Sequence, residues 1–139
     1  MNSTQPVVAI VDGSSYVDRI SGVLSRDGFA LTTIESAKSA AGGLSRALDN
    51  QTPHAIIYCV RDEHPSVDLV RRTCERFVRL QPPARVIVCS GDFQFVQSLR
   101  SANLDDDIVV LYEPFDVEML LEAIRTPSQS NARTRREYF

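Results

Sequence analysis

Lysine is nearly absent. Lys38 is the only one among 139 residues, so a site that needs an ammonium group has a single candidate. No apolar run approaches the roughly 18 residues of a membrane-spanning helix. The start, Met1-Asn-Ser-Thr-Gln-Pro6, has no charged n-region and no apolar h-region with a small-residue cleavage site. A cytoplasmic protein is therefore expected. The three cysteines, Cys59, Cys74 and Cys89, are odd in number and lack metal-type spacing. That pattern speaks against a disulfide framework and predicts free thiols. Basic charge is scarce in the body: residues 1–124 hold 11 Arg/Lys and 17 Asp/Glu, a net −6, while residues 125–139 hold four Arg and one Glu, a net +3. A body without a basic footprint is not expected to bind nucleic acid.

What is present is a core. Hydrophobic residues make up 43% of the chain, and its length suits one domain. Two continuous apolar runs, Val7–Val11 and Ala55–Val60, read as strands buried on both faces. Val86–Cys89 and Ile108–Tyr112 read the same way. Phe29–Ile34, with its threonines, reads as an edge strand. Between them lie amphipathic stretches. Ser14 and Ser15 offer N-caps, with Ser15-x-x-Asp18 resembling a capping box, and Asp27-Gly28 stops that helix. A second helix is expected after Ser36, weakened by Gly42-Gly43. A third runs from Ser66 to about Leu80, a short fourth covers Phe93–Ala102, and a fifth follows the cap Asp116. Five strands alternating with five helices predict an α/β fold, a parallel sheet with helices on both faces. Residues 1–5 read as a polar lead, 6–125 as the domain, and 126–139 as a polar basic linker or tail.

In open parallel sheets, chemistry gathers outside the carboxyl ends of the strands. Cys59 ends the third strand, so it marks the expected site.

The punctuation of the chain resembles the receiver domain of response regulators, the CheY-like family. Asp12 closes strand one, Pro53 precedes strand three, Ser90 closes strand four in Ile-Val-Cys-Ser-Gly, and Glu113-Pro-Phe115 follows strand five. The resemblance spans about residues 6–125. It implies a flavodoxin-like five-stranded sheet of order 2-1-3-4-5, with the switch point between strands one and three. It also implies a phosphoryl-accepting aspartate at the end of strand three, an acid pair binding Mg²⁺, a hydroxyl on strand four and a lysine after strand five.

Matched position by position, most of that chemistry is missing. Cys59 stands at the acceptor position, and Asp12-Gly13 supplies one acid where two are implied. Glu113 stands at the lysine position, and only Ser90 keeps a usable identity. Val110 takes the place of the switch aromatic. Lys38, on the expected second helix, is not placed to substitute. The expectation is a degenerate receiver, not an enzyme, without a cofactor and with Mg²⁺ binding lost or weak. It would act in two-component-type signalling as an interaction module. A homodimer is expected through helix four, strand five and helix five, with Phe93, Phe95, Tyr112, Met119 and Ala123 as the candidate interface; another signalling protein or an output domain is the other partner class.

Four other features bear on function. Cys59 could be a redox switch, but Asp12 and Glu113 should raise its pKa, opposing thiolate formation. Cys59, Asp12, Glu113 and His64 are acceptable transition-metal ligand types without an announcing spacing. A flavodoxin-like cofactor role is disfavoured because Asp12 opposes phosphate in its loop. The stripe Arg71, Arg72, Arg76, Arg79, interrupted by Glu75, reads as a solvated helix face.

Overall fold

Each long apolar run becomes a strand. The computed structural model describes residues 6–34, 53–61, 65–79 and 84–126. Along the chain these form β1 (Val7–Val11), α1 (Ser15–Arg26), β2 (Ala30–Ile34), β3 (Ala55–Cys59), α2 (Val67–Val78), β4 (Arg85–Ser90), α3 (Phe93–Ser101), β5 (Ile108–Tyr112) and α4 (Val117–Arg125). The helix expected after Ser36 lies outside the described residues, so the fourth and fifth expected helices are α3 and α4. The five strands pair in parallel in the order β2-β1-β3-β4-β5. That is the order the resemblance implied, with β2 at an edge as its threonines suggested.

The period-2 alternation of the strands divides the core into two layers. Val7, Ala9, Val11, Ile56, Tyr58, Val86, Val88 and Val110 pack under α2 and α3. Val8, Ile10, Ile57, Cys59, Ile87, Cys89 and Leu111 pack under α1 and α4. Among the described residues Phe77 is the largest fully buried side chain. Its ring meets that of Tyr58 edge-on at 6.2 Å and anchors α2 to the sheet.

Helix ends follow local chemistry. Ser66, Asp92 and Asp116 accept the N–H groups of Leu69, Phe95 and Glu118 at 3.2, 3.0 and 3.2 Å; such caps contribute about 1 kcal/mol each. The helix α1 is capped by Ser14, whose Oγ accepts from Val17 N at 3.1 Å. The capping box expected at Ser15 is therefore not formed; the helix begins one residue earlier. At the other end Gly28 takes φ +96°. Its N–H bonds Ser25 O, and Phe29 N–H bonds Leu24 O, the paired bonds of a Schellman turn.

Candidate functional site

The sheet order places the carboxyl ends of β1 and β3 next to each other, at the expected switch point. After β1 the chain turns sharply at Asp12, which adopts φ 54°. Aspartate tolerates this left-handed conformation better than most residues. Asp12 N–H is fixed by Ile34 O at 2.9 Å. The turn delivers Gly13 and Ser14 to the rim of the crevice, and Ser14 is buried there.

Cys59 is the last residue of β3, with 1% of its surface exposed. Its register partner on β4 is Cys89, which is fully buried. Ser90 ends β4. Its carbonyl accepts from Glu113 N at 2.8 Å, and its hydroxyl accepts from Asp92 N at 3.1 Å. Glu113 follows β5, joined to Pro114 by a cis peptide bond. From there its carboxylate reaches across to the β1–α1 turn, where Ser14 Oγ donates to Oε1 at 3.0 Å. Asp12, Gly13, Cys59, Ser90 and Glu113 thus gather at one end of the sheet. Tyr16 ties the same loops together, its hydroxyl donating to Phe115 O and its ring meeting that of Phe115 edge-on at 4.9 Å.

The thiols at this end are unequal. The neighbouring Cys89 thiol, the largest influence, pulls the Cys59 pKa below its ordinary value, and the Ser14 turn acts the same way. Burial and the Glu113 carboxylate push upward without prevailing. The expected rise of the Cys59 pKa is corrected by this. Glu113 acts in the anticipated sense, but the Cys89 thiol and the Ser14 turn outweigh it. Cys89, as the donor in an apolar site, is pushed well up. Cys74 lies on the other sheet face, where burial and then Glu75 push it up to about 12.

Mg²⁺ takes hard oxygen ligands; at this end of the sheet Asp12 and Glu113 carry carboxylates, while Gly13 offers no side-chain ligand and Cys59 a buried soft sulfur. Among the described residues no three His, Cys, Asp or Glu side chains converge as a metal site. His64 and Lys38 lie outside the described residues.

Val110, at the switch position, is buried, and its carbonyl accepts from Arg100 at 2.9 Å. Of the five interface candidates, Phe93, Tyr112 and Met119 are 53%, 39% and 50% exposed. The rings of Phe93 and Tyr112 meet edge-on at 5.4 Å. Phe95 and Ala123 are buried, which corrects their assignment to the surface. Phe95 packs in the core under α3, and Ala123 packs against the sheet beside Leu120 and Ile124. Two groups at the site were not singled out from the sequence. From the sequence Ser14 reads as a helix cap, not as a partner of Glu113. Cys89 becomes visible once strands three and four are laid side by side, since each ends in this cysteine or one residue beyond it.

No family model matches the chain, and no curated protein does. Solved structures do. A response regulator receiver protein from Sinorhizobium medicae superposes with TM-score 0.61 at 18% identity, over 86% of this chain and 91% of that one. A Burkholderia pseudomallei response regulator with a phosphorylated aspartic acid, calcium ion and citrate gives 0.57 at 18%, over 95% and 73%. The receiver domain of the Pseudomonas aeruginosa sensor histidine kinase PA1611, with magnesium coordinated in its active-site cleft, gives 0.60 at 15%, over 88% and 96%. With the same strand order and helices on both faces of the sheet, this chain has the fold of a response-regulator receiver domain.

Proposed function

We propose that this chain is a non-catalytic receiver-type module that accepts no phosphoryl group and works in signalling by binding another protein. The observation that supports this best is the Ser14–Glu113 hydrogen bond. Where a phosphorylatable receiver would offer an ammonium group, a carboxylate is held in place across the crevice. Two like unit charges 4 Å apart repel by on the order of 4 kcal/mol at an effective dielectric constant near 20, and a phosphoryl group brings more than one. The acceptor position holds a thiol, and the Mg²⁺ that would offset this charge has lost one of its two rim acids, so its binding is lost or weak.

The test is a nuclear magnetic resonance titration of the full chain with beryllofluoride or acetyl phosphate in the presence of Mg²⁺. The amide shifts of Asp12, Cys59, Ser90 and Glu113 are expected to stay in place. Specific, saturable movement of those four would sink the reading.

Binding is assigned to the surface of α3, β5 and α4. Phe93 and Tyr112 form an exposed aromatic pair there, and Met119 adds apolar surface on α4. Exposed aromatic clusters of this kind are frequent interface anchors. The partner is a second copy of the chain, with an output domain as the other class. Phe93→Ser with Tyr112→Ser should weaken self-association by about tenfold or more, roughly 1.4 kcal/mol. Sedimentation velocity across a concentration series reads this out. A wild-type chain that stays monomeric at high concentration would remove the homodimer.

A further inference from the structure

Two of the three thiols stand together. Cys59 and Cys89 are register partners on adjacent parallel strands and project to the same face of the sheet. Neighbouring strands lie about 4.8 Å apart, inside the roughly 4.4–6.8 Å window of Cα separations that disulfides span. Each thiol is the strongest single influence on the other's pKa. Cys74 faces the opposite layer and has no such neighbour.

We propose that Cys59 and Cys89 form an oxidant-responsive dithiol, converted by a hydroperoxide into a cross-strand disulfide at the carboxyl end of the sheet, with Cys59 attacking and Cys89 resolving. This stands apart from the binding reading and uses neither the α3–β5–α4 surface nor phosphoryl chemistry.

The roles follow from the surroundings. Cys59 lies beside the Ser14 turn, and that turn together with the Cys89 thiol favours the thiolate as nucleophile. Cys89 lies deeper and keeps its proton. In the first step the Cys59 sulfur attacks one oxygen of hydrogen peroxide. The O–O bond breaks, the other oxygen takes a proton and leaves as water, and Cys59 becomes a sulfenic acid. In the second step the Cys89 sulfur attacks the sulfenic sulfur. The S–S bond forms, the S–O bond breaks, and the departing hydroxide takes the Cys89 proton to leave as a second water. Two thiols are oxidised and one peroxide is reduced. With both sulfurs shielded from solvent, entry favours a water-sized oxidant. A resolving thiol at the register position on the neighbouring strand gives the sulfenic acid little lifetime.

The experiment treats the full chain with hydrogen peroxide, alkylates the remaining thiols under denaturing conditions and maps the peptides by mass spectrometry. The expected product is a monomeric chain with Cys59 linked to Cys89, Cys74 fully alkylated, and the link removed by dithiothreitol. Cys89→Ala should lose the link and carry Cys59 on to sulfinic acid, whereas Cys59→Ala should leave Cys89 reduced. Cys74→Ala should leave the yield of the link unchanged. The proposal is overturned if wild-type Cys59 goes to sulfinic acid unlinked, if links run through Cys74 or between chains, or if all three thiols remain alkylatable after peroxide. The wild-type map decides this by itself, so a variant that fails to fold does not blunt the test.

Discussion

Cys59→Asp, the substitution that nominally restores a phosphoryl acceptor, is expected to destabilise the fold by about 3 kcal/mol or more at pH 7 and to leave the chain unphosphorylated. Cys59 and aspartate differ little in size, so the cost is electrostatic. The position is 1% exposed and shares its sheet face with Cys89 and Leu111. The Glu113 carboxylate already disfavours negative charge there. The neighbours that favour negative charge at this position, the Cys89 thiol and Ser14, are both neutral. Burial and Glu113 both raise the folded-state pKa of an introduced carboxyl above its unfolded value near 3.9. A group shifted this way gives its full relative stability below the unfolded pKa and loses it as pH rises through the folded one. The variant should therefore approach wild type near pH 4 and fall furthest behind at neutral and alkaline pH. Urea midpoints at the two ends of that range, with unchanged slopes, measure it. A variant as stable as wild type at pH 7 would mean that the crevice accommodates an unpaired carboxylate, and the charge argument would fail with it.

The parts of this fold that were legible in the sequence are those governed by local pattern. Val7–Val11 and Ala55–Cys59 form central strands because uninterrupted β-branched and apolar runs suit burial on both faces. Thr32 and Thr33 sit on the edge strand. Gly28, Ser66 and Asp116 end or start helices through conformational freedom and side-chain oxygens, which act within a few residues. The misassigned residues show where pattern was under-used. Phe93 and Phe95 are two apart on a nine-residue helix, so they lie on nearly opposite sides and only one can be buried. Ala123 lies three residues after Leu120 and one before Ile124, which places it on the inner stripe despite its small size.

The site itself depends on contacts that local pattern does not encode. Ser14 and Glu113 meet from positions 99 residues apart. Cys59 and Cys89 meet through a strand register, and periodicity within either strand contains no information about the other. Counting charges around Cys59 predicts the wrong direction for its pKa because the controlling groups, the Cys89 thiol and the Ser14 turn, are neutral. Such dipoles become visible only when distances are known.

The converse of the single substitution is the combined variant Gly13→Asp, Cys59→Asp, Glu113→Lys, which is expected to bind Mg²⁺ and beryllofluoride. Position 13 has room for a side chain. A Cβ at Gly13 would meet Asp18 Oδ1 and Ile10 Cγ2 no closer than 3.4 Å, and its φ lies outside the left-handed region. Replacing Glu113 takes away the acceptor of the Ser14 hydroxyl, but Ser14 still caps α1 through Val17 N. The three changes should be strongly non-additive. Glu113→Lys supplies a cation beside the introduced acceptor carboxylate and removes a like charge, so it should recover about 1–3 kcal/mol of the Cys59→Asp cost. Gly13→Asp, alone, adds a carboxylate close to Asp18 and should be unfavourable; with Mg²⁺ present the new acids become ligands instead of rivals. Mg²⁺ at a hundred times its dissociation constant should then raise stability by about 2.7 kcal/mol, an effect expected to be absent from wild type. Urea melts with and without the ion and a beryllofluoride titration measure both claims. A folded triple variant indifferent to Mg²⁺ would mean that the identity of three side chains is not what separates this chain from phosphorylatable receivers; the strained Asp12 turn and the loop path after β5 would then be the cause.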